Sequence, residues 1–176
     1  MEPSPAVPTT PRAGARARAL LVILGCVALD QGSKAVARAL LDPNRPYSFL
    51  GDALRLVLVK NPGAFLGLGA SLPPLVRDAL FTWGVLALVL GAAWVAVVRM
   101  GSRRVTLGAA LVAGGGLGNL WDRIASSGYV TDFLNLGLGD VRTGVFNVAD
   151  LAIVGGAVLL LLPARRRHAP APHDAS

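Results

Sequence analysis

The sequence predicts an all-α membrane protein, four transmembrane helices with a small extracytoplasmic β element. Three observations carry that expectation. The chain is 53% hydrophobic and only 15% charged, where soluble domains run at about a quarter charged. Its mean hydropathy is +0.57. Its apolar residues gather in stretches suited to a bilayer core of about 30 Å, which takes roughly 17–25 residues of helix to cross. The 176 residues suffice for one compact domain, predicted at 17–164 between a disordered cytoplasmic tail, 1–16, and a basic cytoplasmic tail, 165–176. A net charge of +7 with an isoelectric point near 11 would suit a nucleic-acid binder, but the basic clusters abut the predicted spans, so no nucleic-acid partner is expected. The single cysteine excludes an internal disulfide framework, and with two histidines it also excludes a Cys/His zinc site. No metal and no cofactor is expected.

The first predicted span, Ala17 to Leu41, has a clean apolar run from Ala19 to Leu29 that ends at Asp30-Gln31-Gly32-Ser33-Lys34. A secretory leader is the rival reading, with Arg12, Arg16 and Arg18 as its basic start and Ile23-Leu24-Gly25-Cys26 as a cleavage-like box. A helical continuation through Ala39 and three further spans favour a membrane helix. An extracytoplasmic segment of about 42–73 follows. Within it Asp52–Lys60 alternates imperfectly but in a β-like way, and Asn61-Pro62-Gly63 closes it as a turn. The second span, Leu80 to Val98, is uncharged, with Trp83 and Trp94 near its ends. The third is Val105 to Trp121; a second outer segment, about 122–145, leads to the fourth, Val148 to Leu162. Residues 1–11 and 168–176 are rich in Pro and Ala and read as disordered.

Four spans put both termini on one side. Arg12, Arg16, Arg18, Arg99, Arg103, Arg104 and Arg165–Arg167 then share a face on which the only acids are Glu2 and Asp174. Short basic clusters abutting spans mark the cytoplasmic side, so the termini are expected there, with membrane lipids as partners of the basic surplus.

An ionisable group at membrane depth is costly and is by default a functional hypothesis. Asp30 lies four residues before Lys34 on one helix face, the favourable order for an ion pair. Gly114 and Gly118 permit close helix contact, and Asn119, Asp122 and Arg123 set an amide, an acid and a guanidinium on one face of the third span, toward the outer surface. Asp132 sits between apolar neighbours just beyond that span. Asn147 and Asp150 open the fourth, Asp150 about one turn inside it, where a lone acid is also a good partner for the helix dipole. Gly137-Leu138-Gly139-Asp140 falls in a polar loop and reads as a turn. His168 and His173 lie in the C-terminal tail, so no His-dependent serine triad can form.

If Asp132 and Asp150 face each other in a low-dielectric site, they cannot both ionise cheaply, and one keeps its proton near neutral pH. Such a pair can hydrolyse an amide, the ionised carboxylate drawing a proton from water while the protonated one donates to the carbonyl oxygen. The same acids would also serve a small proton-coupled transporter as a relay, or a non-catalytic scaffold as internal struts.

The series D-Q-G-S-K, N-P-G-A-F, G-G-G-L-G-N-L-W-D-R, V-T-D-F and F-N-V-A-D, running in order from Asp30 to Ile153, resembles the motif series of lipoprotein signal peptidase (signal peptidase II). The resemblance implies an aspartyl peptidase of the bacterial cytoplasmic membrane. It would remove signal peptides from diacylglyceryl-modified prolipoproteins, cutting just before the lipidated cysteine, with its site near the extracytoplasmic face. It places the catalytic pair on Asp132 and Asp150 and supporting or substrate-contacting roles on Asp30, Lys34, Asn61, Gly63, Asn119, Asp122, Arg123 and Asn147. No metal is expected, since the acids lack companion ligands such as His and the mechanism needs none, and the protein is expected to be a monomer. One motif departs: the family usually reads N-x-G-A-A/S-F, whereas Phe65 here follows Ala64 directly, one position early, and Pro62 stiffens the turn.

Overall fold

The computed structural model describes residues 11–63, 66 and 69–163. Expectations for residues 1–10 and for the basic tail 165–176 therefore lie outside the described residues, as does Phe65.

Four helical rods and a four-stranded sheet make up the fold. Helix α1 runs unbroken from Pro11 to Leu40, so part of the predicted tail 1–16 is helix. Proline is tolerated at such a start because the N–H it lacks would have no helical partner. The second rod, Pro74–Arg99, is composite. It joins α2 (Pro74–Asp78) to α3 (Val85–Trp94), with π-helical turns at Ala79–Gly84 and Val95–Arg99. Met100, at φ 44°, breaks it in the left-handed region. Helix α4 (Arg103–Ala125) begins at Ser102, whose hydroxyl accepts from the Val105 N–H, and α5 spans Val148–Leu161.

Helix α4 is the hub and packs against α1, α3 and α5. From Gly108 to Gly118 its buried face is Gly and Ala except for Val112, so backbones approach closely. A side chain at Gly115 would run into the carbonyl of Ala149 on α5, the small-residue packing on which helices in lipid rely. The core at one end joins Ala19 and Ile23 of α1 to Ala96, Ala109, Ala110 and Ala113. Large apolar side chains point outward instead, among them Leu21, Leu24, Leu29 and Trp83. Two rods are long and apolar enough to cross a membrane, Ala13–Leu40 and Pro74–Arg99. Helix α4 is long but diluted by glycine, and α5 is apolar but only 14 residues.

The sheet is antiparallel in the order β1 (Tyr47–Phe49), β2 (Leu54–Asn61), β3 (Val130–Leu138) and β4 (Val141–Arg142). The two predicted outer segments thus pair with each other. The β-like stretch at Asp52–Lys60 is β2, while β3 occupies residues that carried no strand expectation. A bulge between Leu56 and Val59 resets the β2–β3 register so that Val59 faces Asp132 and Asn61 faces Val130. The far end is pinned by Asp52, which accepts from Ser48 Oγ at 2.6 Å, from Arg55, and from Arg142 Nη1 at 3.2 Å. The Arg55 hydrogen bonds hold the Asp52 carboxyl well below the usual carboxylate range.

Candidate active site

The buried polar side chains among the described residues are Asp30, Lys34, Asn61, Asn119, Asp122, Arg123, Thr131, Asp132, Asn135, Asn147 and Asp150. They collect where the C-terminal half of α1 and the C-terminal end of α4 meet β3 and the start of α5. No corresponding polar track continues along the helices to the opposite end among the described residues, which is what a proton relay across the bundle would need.

Asn147 joins the two acids. It is the N-cap of α5 in a reciprocal capping box: its Oδ1 accepts from the Asp150 N–H at 3.0 Å, and its own N–H donates to Asp150 Oδ2 at 3.1 Å. Its Nδ2 meanwhile donates to Asp132 Oδ1 at 2.6 Å. Asp150 is therefore both a helix-cap partner and a member of the cluster. Each carboxylate has a second amide donor. Asn61 Nδ2 reaches Asp132 Oδ2 at 2.8 Å, and Asn119 Nδ2 reaches Asp150 Oδ1 at 2.9 Å. Both acids line one polar cavity with Asn61, Gly63, Asn119 and Arg123. Its volume of about 10 Å³ is the size of a single water site, roughly 10–15 Å³.

Behind this pair lies an ionic support. The fully buried Lys34 ammonium contacts Asp30 at 2.8 Å, Asp122 at 3.1 Å and Asn119 Oδ1 at 2.9 Å. Its three donors are thereby matched by three acceptors, none of them on the Asp132–Asp150 pair. Asn119 Oδ1 also accepts from Asn147 Nδ2 at 3.0 Å, which directs the Asn119 amide nitrogen at Asp150. The two acids held by Lys34 each fix the backbone beside one of the pair. Asp30 Oδ1 accepts from the Ala149 N–H at 3.0 Å, next to Asp150, and Asp122 Oδ2 from the Thr131 N–H at 2.9 Å, next to Asp132. Glycine is required at 118 for this contact, since a Cβ there would sit 2.5 Å from Asp30 Oδ2.

All ten residues singled out in the sequence are thus brought to one end of the bundle. Asn119, Asp122 and Arg123, expected on one face of the third span, are all buried and serve two sets of partners. Asn119 and Asp122 turn to Lys34. Arg123 turns to the Asn61–Gly63 turn, donating from Nη2 to the Gly63 carbonyl at 2.7 Å and lying 6.0 Å from the Phe81 ring. The Gly63 N–H in turn donates to Asn61 Oδ1 at 2.8 Å, so Arg123 helps aim Asn61 at Asp132. Sequence reasoning assigned nothing to Gln31, Arg38 or Thr131. Gln31 Nε2 lies within 3.1 Å of Asp30, the Gly118 carbonyl and Asp122, and Arg38 donates to Thr131 Oγ1 at 2.9 Å. Arg38 was discoverable, because it falls one helical turn beyond Lys34. Among the described residues no group of three or more His, Cys, Asp or Glu is disposed to hold a metal ion.

Burial pushes the Asp132 carboxyl from its ordinary 3.8 up to about 6, with the Asp150 charge adding to the rise and the Asn61 and Asn147 hydrogen bonds opposing it. The native chain therefore keeps a proton that the unfolded chain has lost. The stabilisation is complete below the unfolded pKa and disappears as pH rises through about 6. The Tm of the parent minus that of Asp132→Asn, measured in detergent, is expected to decline between about pH 4 and pH 6. A difference that stays flat across the window would contradict it.

The family model described as signal peptidase (SPase) II matches residues 22–165. The chain is 38% identical over 168 residues to a lipoprotein signal peptidase of Mycobacterium tuberculosis (strain ATCC 25618 / H37Rv), covering 90% of this chain and 75% of that protein. Proteins of the same name from Rhodococcus jostii (strain RHA1) and Moorella thermoacetica (strain ATCC 39073 / JCM 9320) are 39% and 40% identical. These alignments cover 92% and 82% of this chain, and 79% and 93% of the relatives. The fold is similar to a solved structure described as a bacterial membrane enzyme, determined by the in meso method at 2.3 Å. The TM-score is 0.69 at 19% identity, over 82% of this chain and 85% of that one.

Proposed function

The chain belongs to the signal peptidase II family, aspartic peptidases that remove signal peptides from prolipoproteins, and on that premise we propose that Asp132 and Asp150 are its catalytic pair. The observation that carries the assignment is Asn147, which binds both carboxylates at once across a cavity sized for one water. The pair shares one proton. The ionised member takes a proton from water as the water oxygen bonds to the scissile carbonyl carbon, and the protonated member donates to the carbonyl oxygen. Collapse of the tetrahedral species breaks the C–N bond with proton delivery to the leaving nitrogen, releasing the signal peptide as a carboxylate and the lipoprotein with a free amino terminus. Asn61, Asn119 and Asn147 hold the carboxylates through neutral N–H groups, which fix their direction without supplying a cation that would remove the shared proton. Both acids come from one chain, so a single copy suffices.

All four rods cross the membrane in this reading, with the termini cytoplasmic and the sheet outside. The 23 residues of α4 extend roughly 34 Å at 1.5 Å per residue, enough for the hydrocarbon core. The 14 residues of α5 extend only about 21 Å. With its C-terminal end at the inner interface, the start of α5 and Asp150 lie below the outer headgroups, at the depth of a lipid-anchored cysteine. An apolar-walled groove beside Asp132, lined by Val59, Pro62, Leu66, Ala70 and Val145, is where the residues around the scissile bond lie. The substrate is accordingly a diacylglyceryl-modified precursor, cut just before the lipidated cysteine. Incubating the protein with such a precursor beside its unmodified form tests this. Cleavage of the lipidated form alone is expected, and equal cleavage of both would refute the substrate assignment.

A further inference from the structure

At the end of the bundle opposite the acids, the N-terminal half of α1, the Met100–Gly101 turn and the first turns of α4 enclose a cleft. Its walls are apolar, with Ala15, Val22, Leu107 and Ala110 among them, and its rim carries two guanidinium groups, Arg18 and Arg103. Two neighbouring arginines are engaged elsewhere: Arg16 donates to the Val97 carbonyl at 3.2 Å and Arg104 to the Pro163 carbonyl at 2.7 Å. Arg18 and Arg103 have no hydrogen bond or ion pair among the described residues. Among the described residues no acid is close at hand to neutralise them, since none occurs in 11–29, 79–121 or 151–163. The volume of about 250 Å³ falls just below the roughly 300–1,000 Å³ of pockets that engulf a small molecule, so an occupant lies along the cleft rather than inside it.

We propose that this cleft binds one anionic phospholipid, its headgroup phosphate held between Arg18 and Arg103 and an acyl chain lying against Val22, Leu107 and Ala110. Two unpaired guanidiniums over an apolar trough match a molecule whose charge and hydrocarbon are joined end to end. Arginine suits the phosphate because its planar fork offers paired donors. The site is remote from the Asp132–Asp150 pair and goes beyond the peptidase reading.

Native mass spectrometry of the full chain released from micelles tests it, with dioleoyl phosphatidylglycerol, dioleoyl phosphatidylcholine and inorganic phosphate as probes. One phosphatidylglycerol is expected to be retained in preference to phosphatidylcholine, undisturbed by inorganic phosphate. The double variant Arg18→Gln/Arg103→Gln should weaken retention about thirty-fold, given the worth of two basic side chains at a membrane surface. Ala15→Phe, which fills the trough and leaves both charges, should also abolish it. Precursor cleavage in detergent should continue in all variants, which separates this inference from the catalytic one. Equal retention of the two lipids, displacement by phosphate alone, or retention by Ala15→Phe would overturn it.

Discussion

Asp132→Asn and Asp150→Asn are each expected to lower kcat/KM for a lipidated precursor by about 10,000-fold, the upper range for loss of a positioned acid–base group. Both variants should still insert and fold. The substitution nearly preserves shape and costs one of the two accepted hydrogen bonds at each site. An amide is itself compatible with a helix N-terminus, so the Asp150→Asn variant can keep part of the capping box. The amide introduced by Asp132→Asn retains one oxygen to accept from Asn61 or Asn147. Neither amide can take a proton from water and return it to the leaving nitrogen. The pair acts as a unit, so the double variant should be hardly slower than either single one. Gel-shift assay of precursor processing in proteoliposomes, with circular dichroism of the same samples, reads activity and folding together. Normal processing by either single variant would remove that carboxylate from the mechanism.

How much of this was legible in the sequence depended on the range of the interactions. The helices were readable from their apolar composition; the last falls at Val148–Leu161 against Val148–Leu162 expected, while the first two rods begin at Pro11 and Pro74, ahead of the expected Ala17 and Leu80. The strand β3 was not readable. It is buried along most of its length and carries an acid and an asparagine on a chain that also pairs with Phe146, so neither a clean alternation nor a simple hairpin marks it. The π-helical turns of the second rod left no signal in a uniformly apolar segment. Within the site, the local relations were visible: Asp30 to Lys34 at one helical turn, and Asn147 with Asp150 at the opening of the last helix. What the sequence could not convey is that Lys34 reaches across 85 positions to Asn119, or that Asn61 and Asp132, 71 apart, meet across a β2–β3 pair whose register a bulge shifts. Those pairings are decided by packing, and one sequence carries no record of them.

Lys34→Met is expected to be the most damaging substitution outside the catalytic pair. Removing one partner of a buried ion pair costs about 3–5 kcal/mol because the other charge is left uncompensated. Here two carboxylates, Asp30 and Asp122, lose the same cation. The damage also has a direction. Asp30 holds the backbone beside Asp150 and Asp122 holds the backbone beside Asp132, while Asn119 Oδ1 keeps only its bond from Asn147 and loses one of the two contacts that aim its amide at Asp150. A fall in Tm should therefore accompany a loss of turnover larger than the unfolded fraction explains. Removing the acids as well should recover stability, because a neutral buried cluster avoids the uncompensated charges. The triple variant Asp30→Asn/Lys34→Met/Asp122→Asn should be more stable than Lys34→Met alone, yet still slow, since its amides no longer bind the two backbone N–H groups as tightly as carboxylates do. If the triple variant recovered full activity, Lys34 would be a stabilising residue only. If Lys34→Met left Tm unchanged, the three contacts of its ammonium would not be what holds this end of the bundle together.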